Sequence, residues 1–206
     1  MKEQLTVGSM FAGIGGICLA FRQNGCKIVW ANEIDKYACK TYRLNFGDEY
    51  LVEGDIQKID TKDIPKFDIL TAGFPCQAFS SVGLLEGFND PRGNLFFETA
   101  RAINKIKPRV VFLENVANLV KHDEGRTFDV ILKTLEGLGY YTVYKVMNAK
   151  EYGNIPQQRN RIYIVAFKYK KNVEKFEFPD MLPLTQTAFD LFDKKKQEEK
   201  YYMDGH

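Results

Sequence analysis

Short apolar runs alternate with amphipathic stretches along most of the chain, a pattern typical of α/β proteins. Continuous apolar runs of strand length occur at 5–11, 27–31, 67–72, 110–113 and 162–167. Apolar residues at helical spacing occur between them, at 17–21, 37–46, 94–106 and 127–138. Because uninterrupted apolar strands are buried on both faces, we predict a mostly parallel central sheet with helices on both faces.

A cysteine stands just past the carboxyl end of one predicted strand. Cys76 follows the apolar run 67–72 across a short turn in which Gly73 permits a sharp bend and Pro75 fixes its own φ. Ligands of open α/β sheets bind at this edge. The thiol of Cys76 is therefore a candidate nucleophile, although a free cysteine is more often a small buried hydrophobe.

A glycine-rich turn joins the first predicted strand to the first helix. Its glycines, Gly13, Gly15 and Gly16, do not fit the G-x-G-x-x-G pattern. Such a turn can admit a ligand to the backbone and to the positive end of the helix, or it can simply be tight. Glu33 ends the second predicted strand about twenty residues later, where a carboxylate usually holds a ribose hydroxyl pair.

Asp55 belongs to Glu53-Gly54-Asp55-Ile56, which we expect at the end of a further short strand after the helix at 37–46, and two interpretations of it are open. It could accept a hydrogen bond from an adenine amino group, with Ile56 packing on the ring, or it could be a solvated loop carboxylate. No phosphate-binding lysine accompanies the glycines, which excludes a P-loop. The nucleoside-type cofactors that remain are a dinucleotide and S-adenosylmethionine.

Further charged residues occupy positions where they could bind a ligand or take part in catalysis. Residues 80–93 form a long irregular segment, in which Arg92 could pair with a phosphate or be solvated. Glu114 directly follows an apolar run, so burial would raise its pKa, unless it caps a helix or pairs with an arginine. Arg159 and Arg161, two apart in extended chain, point to the same side and need carboxylates, phosphates or a base edge as partners.

Composition narrows the class of protein. The chain has 206 residues, 45% of them hydrophobic, and a net charge of +2. So small a charge neither favours nor excludes binding to nucleic acid. Its cysteines form no C-x-x-C pair and its two histidines lie far from them, so we expect neither a metal site nor a disulfide framework. No signal sequence or membrane span is evident, and we expect a cytoplasmic protein.

Taken together, these residues resemble the cytosine-C5 DNA methyltransferases of the bacterial restriction-modification type. The resemblance covers about residues 5–180, with matching order and spacing. It rests on these motifs: Phe11-Ala12-Gly13-Ile14-Gly15-Gly16, Glu33, Asp55-Ile56, Gly73-Phe74-Pro75-Cys76-Gln77, Glu114-Asn115-Val116 and Gln158-Arg159-Asn160-Arg161.

The resemblance implies a Rossmann-like, S-adenosylmethionine-dependent methyltransferase fold, with S-adenosylhomocysteine as product. It implies that Phe11 lies against adenine, that Glu33 binds the ribose and that Asp55 accepts from the adenine amino group. The other cofactor contacts expected from it are Ala12, Gly13, Gly15, Gly16, Ile34, Ile56 and Phe74.

The same resemblance implies a catalytic centre that acts on a flipped cytosine. Cys76 would add to C6, Glu114 would bind N3 and the exocyclic amino group, Arg161 would hold O2 and Arg159 would support the site. Methyl transfer to C5, loss of the C5 proton and β-elimination of Cys76 would complete the cycle. The DNA contacts expected from the resemblance are Gln77, Ser80 and Arg92.

This chain departs from the family in length and at two positions. Ser9 stands where members commonly carry an acid, and Ile34 where a tryptophan is frequent. We expect residues 1–180 to form the cofactor-binding and catalytic domain and 181–206 to lead toward a missing target-recognition domain. The chain would then be a fragment or one subunit of a split enzyme acting on double-stranded DNA, with activity in isolation left open.

Other partners and functions stay open at this point. A second polypeptide could carry target recognition, and the chain could self-associate. A non-catalytic cofactor-binding or regulatory module of the same fold and an RNA cytosine-C5 methyltransferase are the alternative functions. The motif that contains Cys76 looks more like the DNA enzymes, and the intact Cys76, Glu114 and Arg161 argue against a non-catalytic module.

Overall fold

The computed structural model describes residues 4–75, 95–196 and 198. The chain divides into two compact units. The first comprises Met1–Val146 and Arg161–Phe178, and the second comprises Met147–Asn160 and Pro179–His206. In the described ranges, no helix is long and apolar enough to cross a membrane.

The described residues contain a seven-stranded sheet with the order β3-β2-β1-β4-β5-β7-β6. Strands β3, β2, β1, β4 and β5 are mutually parallel, and β7 is antiparallel to β5. This confirms the predicted mostly parallel sheet. The strands are β1 Thr6–Met10, β2 Lys27–Glu33, β3 Leu51–Glu53, β4 Ile69–Ala72, β5 Val110–Val116, β6 Tyr141–Asn148 and β7 Asn160–Phe167.

Helices cover both faces of the sheet, and successive residues of its central strands are therefore buried on opposite sides. Ile69 of β4 packs in a cluster with Cys18 and Tyr42, whereas its neighbour Leu70 packs with Phe96 and Ile131. The absence of polar alternation in these strands follows from this double burial. The α-helices among the described residues are α1 Gly16–Gln23, α2 Lys36–Phe46, α3 Leu95–Ile106, α4 Arg126–Gly137, α5 Ala149–Tyr152 and α6 Lys170–Val173.

Two local details follow from pairing and capping. Strand β5 extends beyond its apolar run 110–113 to Val116, because β7 pairs with it along its whole length. Ala149–Tyr152 form the short helix α5, whose start is capped by the side chain of Asn148.

The strand order places a crevice at one edge of the sheet. Strand β1 lies between β2 and β4, so successive crossovers leave it in opposite directions. At such a switch point, the loops beyond the carboxyl ends of the strands separate, and ligands bind between them. The residues that follow β1, β2, β3 and β4 therefore surround a common space.

Candidate active site

A cavity of about 250 Å³ opens at this switch point. The turns after β1, β2, β3 and β4 all contribute to it, which is the arrangement expected from the strand order. It is lined by Phe11, Asn32, Glu33, Ile34, Gly54, Asp55, Ile56, Gly73, Pro75 and Leu95. Five of the predicted cofactor residues, Phe11, Glu33, Ile34, Asp55 and Ile56, thus meet in one place.

Phe11 leaves β1 in a strained backbone conformation. Its φ is 53°, in the left-handed region that residues other than glycine rarely adopt. The amide of the next residue, Ala12, donates to the carbonyl of Asn32 at 2.9 Å and ties the turn to β2. Strain of this kind persists where the surroundings fix it, and here it holds an aromatic ring in the cavity wall.

The Glu33 carboxylate is fixed by backbone donors from two turns. Its Oε2 accepts from the amide of Gly13 at 2.8 Å, and its Oε1 accepts from Ile34 at 2.8 Å and Asp35 at 2.9 Å. An ionised carboxylate offers about four acceptor sites. The carboxylate of Glu33 is therefore oriented before a ligand binds, and it can still accept a hydrogen bond from a ligand hydroxyl.

The third turn is held by a residue that the sequence pattern did not single out. Asn32 is buried, and its Nδ2 donates to the carbonyls of Val52 and Gly54, both at 2.9 Å. Asp55 follows, and its Oδ1 caps the 3₁₀ turn Ile56–Lys58 by accepting from Gln57 at 3.0 Å. The signal for Asn32 in the sequence was a polar residue inside an otherwise buried strand.

Gly15 of the first turn has a packing role. Gly15 has a φ of 94°, and a Cβ on it would lie 2.3 Å from the ring of Phe46. Gly15 and Gly16 line a separate depression of about 150 Å³ together with Phe46. Only glycine lets α1 approach α2 this closely, and the cofactor contacts of Gly15 and Gly16 stay a prediction.

Phe74 turns away from the cavity surface. Its side chain is 3% exposed and its ring packs on Phe96, with the ring centroids 5.5 Å apart. Its neighbours Gly73 and Pro75 line the cavity instead. A contact of Phe74 with the cofactor stays a prediction.

Glu114 and Arg161 form an ion pair beside the cavity. The distance between Glu114 Oε1 and Arg161 Nε is 2.9 Å, and the two side chains are 22% and 20% exposed. In the antiparallel pairing of β5 and β7, Glu114 is opposite Tyr163 and Val116 is opposite Arg161. Glu114 and Arg161 are thus diagonal neighbours on one face of the sheet.

The turn after β4 brings this ion pair to the start of the Cys76 motif. The Nδ2 of buried Asn115 donates to the carbonyl of Phe74 at 2.8 Å. A Cβ on Gly73 would lie 3.6 Å from Glu114 Oε2. The carboxylate of Glu114 is therefore adjacent to the backbone three residues before Cys76.

The remaining predicted residues fall into two groups. Cys76, Gln77, Ser80 and Arg92 lie outside the described residues. Arg159 belongs to the second unit, where its amide donates to Asn148 Oδ1 at 3.3 Å and its carbonyl accepts from Ala149 at 3.0 Å. Within the part of the chain that the structure describes, no cluster of three or more His, Cys, Asp or Glu side chains could hold a metal ion.

Comparison with known proteins decides the family. Residues 5–206 match the model of the family described as C-5 cytosine-specific DNA methylase. This chain belongs to the C-5 cytosine-specific DNA methylase family. The family membership predicted from the sequence motifs is confirmed.

Curated relatives of this chain include bacterial Type II methyltransferases. The Type II methyltransferase M.Bsp6I of Bacillus sp. (strain RFL6) is 49% identical over 201 residues, covering 96% of this chain and 64% of the relative. The Type II methyltransferase M.HhaI of Haemophilus parahaemolyticus is 46% identical over 195 residues, covering 95% and 59%. The chain spans about half to two thirds of the length of the curated relatives it matches.

Solved structures support the fold of the methylase. The methyltransferase EhMeth of Entamoeba histolytica matches with a TM-score of 0.72 at 23% identity, covering 98% of this chain and 64% of that one. The Dnmt2 methyltransferase of S. pombe matches with a TM-score of 0.66 at 24% identity, covering 82% and 51%. The predicted methyltransferase fold is therefore confirmed.

Proposed function

We propose that this chain carries the cofactor-binding and catalytic part of a DNA cytosine-C5 methyltransferase, with S-adenosylmethionine as methyl donor. One observation carries the proposal: the cavity at the switch point and the Glu114–Arg161 pair flank the same turn, Gly73 to Pro75, that leads into Cys76. A methyl donor and a reacting base must meet at one thiol in such an enzyme. The predicted boundary of the catalytic domain at residue 180 remains part of this proposal.

The cavity suits an adenosine-type cofactor. Its volume is near the lower end of the range of about 300–1,000 Å³ that small-molecule sites occupy. Phe11, Ile34 and Ile56 offer aromatic and apolar surface to a flat base. Glu33 and Asp55 offer carboxylates to ribose hydroxyls and to an exocyclic amino group. S-adenosylmethionine, when bound, supplies an electrophilic methyl group on a sulfonium.

The catalytic residues follow from the chemistry of cytosine. C5 of the aromatic ring is a poor nucleophile until the thiolate of Cys76 forms a bond to C6. The electron pair of the C5–C6 double bond then makes C5 nucleophilic, and negative charge develops on N3 and O2. C5 takes the methyl group, a base removes the C5 proton, and the C6–S bond breaks to restore the ring.

Glu114 and Arg161 would stabilise this developing charge. Glu114 would bind the N3 side of the base and accept from the exocyclic amino group, and Arg161 places a positive charge beside it, toward O2. Since the pair is mostly buried, these interactions act with little screening by water. Arg161 also keeps the carboxylate of Glu114 oriented before a base arrives.

Double-stranded DNA is the proposed substrate, and the target cytosine would leave the stack to reach the thiol. Gln77, Ser80 and Arg92 are the proposed DNA contacts, and Arg159 is the proposed support of the catalytic centre. A second polypeptide that carries target recognition and self-association of the chain remain predictions. The family model that matches residues 5–206, described as C-5 cytosine-specific DNA methylase, supports DNA as the substrate.

The product identifies the reaction. We expect methyl-labelled S-adenosylmethionine to transfer label to mixed-sequence duplex DNA, and digestion to nucleosides to yield labelled 5-methyl-2′-deoxycytidine only. Label in N4-methylcytosine or N6-methyladenine would contradict the proposed chemistry, because neither product needs C6 addition. Label that enters RNA and never DNA would instead support the RNA-methylating branch.

A further inference from the structure

An arginine that does not line the cavity holds one of its walls. Arg101 of α3 reaches across to the 3₁₀ turn Ile56–Lys58. Its Nη1 donates to the carbonyl of Ile59 at 3.1 Å, and its Nη2 donates to the carbonyls of Ile56 and Ile59 at 3.1 and 3.2 Å. The guanidinium thus joins the first residue of the turn to the residue that follows it.

A carboxylate one helical turn away orients this guanidinium. Glu98 Oε2 accepts from Arg101 Nε at 2.7 Å and lies 2.6 Å from its Nη2. The two side chains are only 20% and 33% exposed. Hydrogen bonds from a charged donor are stronger than neutral ones, and the planar fork of arginine fixes their direction.

The turn needs this external support because its own bonds are few. Inside it, Lys58 donates to the carbonyl of Asp55 and Ile59 to that of Ile56, at 3.0 and 3.2 Å. So short a 3₁₀ segment has weak hydrogen-bond geometry. Asn32 holds the segment before the turn from the strand side, and Arg101 holds the turn from the helix side.

Helix α3 also reaches the cavity directly. Its first residue, Leu95, lines the cavity, and Arg101 lies further along the same helix. The helix therefore touches the cavity at Leu95 and supports the wall formed by Asp55 and Ile56 through Arg101. A shift of this wall would change both the carboxylate and the apolar surface offered to a bound base.

We propose that Arg101 is a positioning residue for the purine-binding side of the cofactor site: it fixes the backbone at 56–59 so that Asp55 meets the edge of the base and Ile56 its face. The inference rests on the proposed function, because it takes a nucleoside cofactor as the ligand. Glu98 acts through Arg101, and neither residue contacts the cofactor.

The test uses S-adenosylhomocysteine as a stable probe and compares two arginines. We expect Arg101→Met to raise the dissociation constant on the order of tenfold in calorimetry, the size of effect typical of residues behind a binding site. Arg101→Lys should fall between Arg101→Met and wild type, since an ammonium donates without the fork. Hydrogen exchange of the ligand-free protein should quicken at residues 56–59 in Arg101→Met.

Arg109→Met is the matched control. Arg109 lies 3.7 Å from Asp68 at the opposite edge of the sheet, so its loss removes an ion pair without touching the turn. We expect it to leave both the dissociation constant and the exchange at 56–59 unchanged. In turnover assays, Arg101→Met should raise the KM for S-adenosylmethionine and leave kcat at saturation near the wild-type value.

The outcomes separate this inference from the function on which it rests. Wild-type affinity in Arg101→Met would overturn the inference and leave the proposed function standing. An equal loss of affinity in Arg109→Met would also overturn it, because the effect would then be global destabilisation. If folded wild-type protein did not bind S-adenosylhomocysteine, the proposed function would fall, and the inference with it.

Discussion

At the residue scale, three carboxylates at strand ends carry the proposed chemistry, and each is fixed by a different kind of partner. Glu33 is held by backbone amides, Asp55 by the amide two residues on, and Glu114 by the guanidinium of Arg161. Each carboxylate is fixed before any ligand binds. Changing it to its amide removes the charge and nearly keeps the shape of the side chain. Such changes test the role of each residue separately.

We expect Asp55→Asn to weaken binding of S-adenosylhomocysteine on the order of tenfold, since a hydrogen bond to a charged group contributes about 1.5–3 kcal/mol. Asparagine caps the turn as well as aspartate does, so the fold should be retained. Asp60→Asn is the matched control, because Asp60 caps Lys62 in the same way but does not line the cavity. Equal losses in the two variants, measured by calorimetry, would show that Asp55 has no special role.

We expect Glu114→Gln to lower methyl transfer by about 10²–10⁴-fold, the range that a positioned acid or base contributes. Binding of S-adenosylhomocysteine should be unchanged, since Glu114 does not line the cavity. Single-turnover assays on duplex DNA measure the first effect, and calorimetry the second. Glu136→Gln, an exposed change on α4, is the control, and undiminished transfer by Glu114→Gln would remove Glu114 from the mechanism.

At the element scale, β5 does most to assemble the catalytic side. Its neighbouring residues serve two purposes: Glu114 pairs with Arg161 of β7, and Asn115 binds the carbonyl of Phe74 in the turn after β4. The strand therefore joins the ion pair to the backbone that leads into Cys76. A strand is rigid enough to keep both contacts in register.

We expect Asn115→Ala to slow methyl transfer and to lower the free energy of unfolding by about 1–3 kcal/mol, because it leaves the buried carbonyl of Phe74 without its donor. Asn45→Ala is the control, since Asn45 is exposed and its side chain donates within α2, to the carbonyl of Thr41. Urea unfolding measures the stability and single-turnover assays the rate. Should the two variants lose equal stability and equal rate, the proposed role of Asn115 would be wrong.

The hydrophobic pattern predicted a strand well where both faces of the strand are buried, and less well where pairing with another strand sets its length. Strand β4 was predictable because both its faces are buried. The part of β5 beyond its apolar run depends on pairing with β7, and the local sequence pattern contains no information about that pairing. Glu33 was predictable from its spacing to the glycine turn, and Asp55 from its place at the end of a short strand. Asn32, Arg101 and Asn115 were missed as supports because their partners lie between 20 and 45 residues away in sequence.

At the scale of the whole molecule, the two edges of the sheet have different purposes. The carboxyl edge carries the cavity and the Glu114–Arg161 pair. The amino edge carries a structural tie: Asp68 accepts from the amide and hydroxyl of Thr6, both at 2.9 Å, and lies 3.7 Å from Arg109. Stability and chemistry can therefore be changed independently.

We expect the amino edge to make stability depend on pH. The amide of Thr6 is the main cause that lowers the pKa of Asp68 below 3.8, with desolvation opposing it. Because the folded state has the lower pKa, the contribution of Asp68 is present above pH 3.8 and is lost as the pH falls toward the lowered value. The difference in unfolding free energy between wild type and Asp68→Asn should therefore shrink as the pH falls, and a constant difference in urea titrations would contradict this.

The proposed reaction requires that Cys76, which follows the turn Gly73 to Pro75 in sequence, attacks C6 of cytosine. Covalent trapping tests this step, with protein that methylates ordinary duplex DNA incubated with S-adenosylmethionine and duplex DNA containing 5-fluorocytosine. Fluorine at C5 blocks the final elimination, so we expect an adduct that survives denaturation and is lost in Cys76→Ala. Transfer of methyl groups to ordinary DNA without any adduct, or an adduct that persists in Cys76→Ala, would contradict covalent catalysis by Cys76.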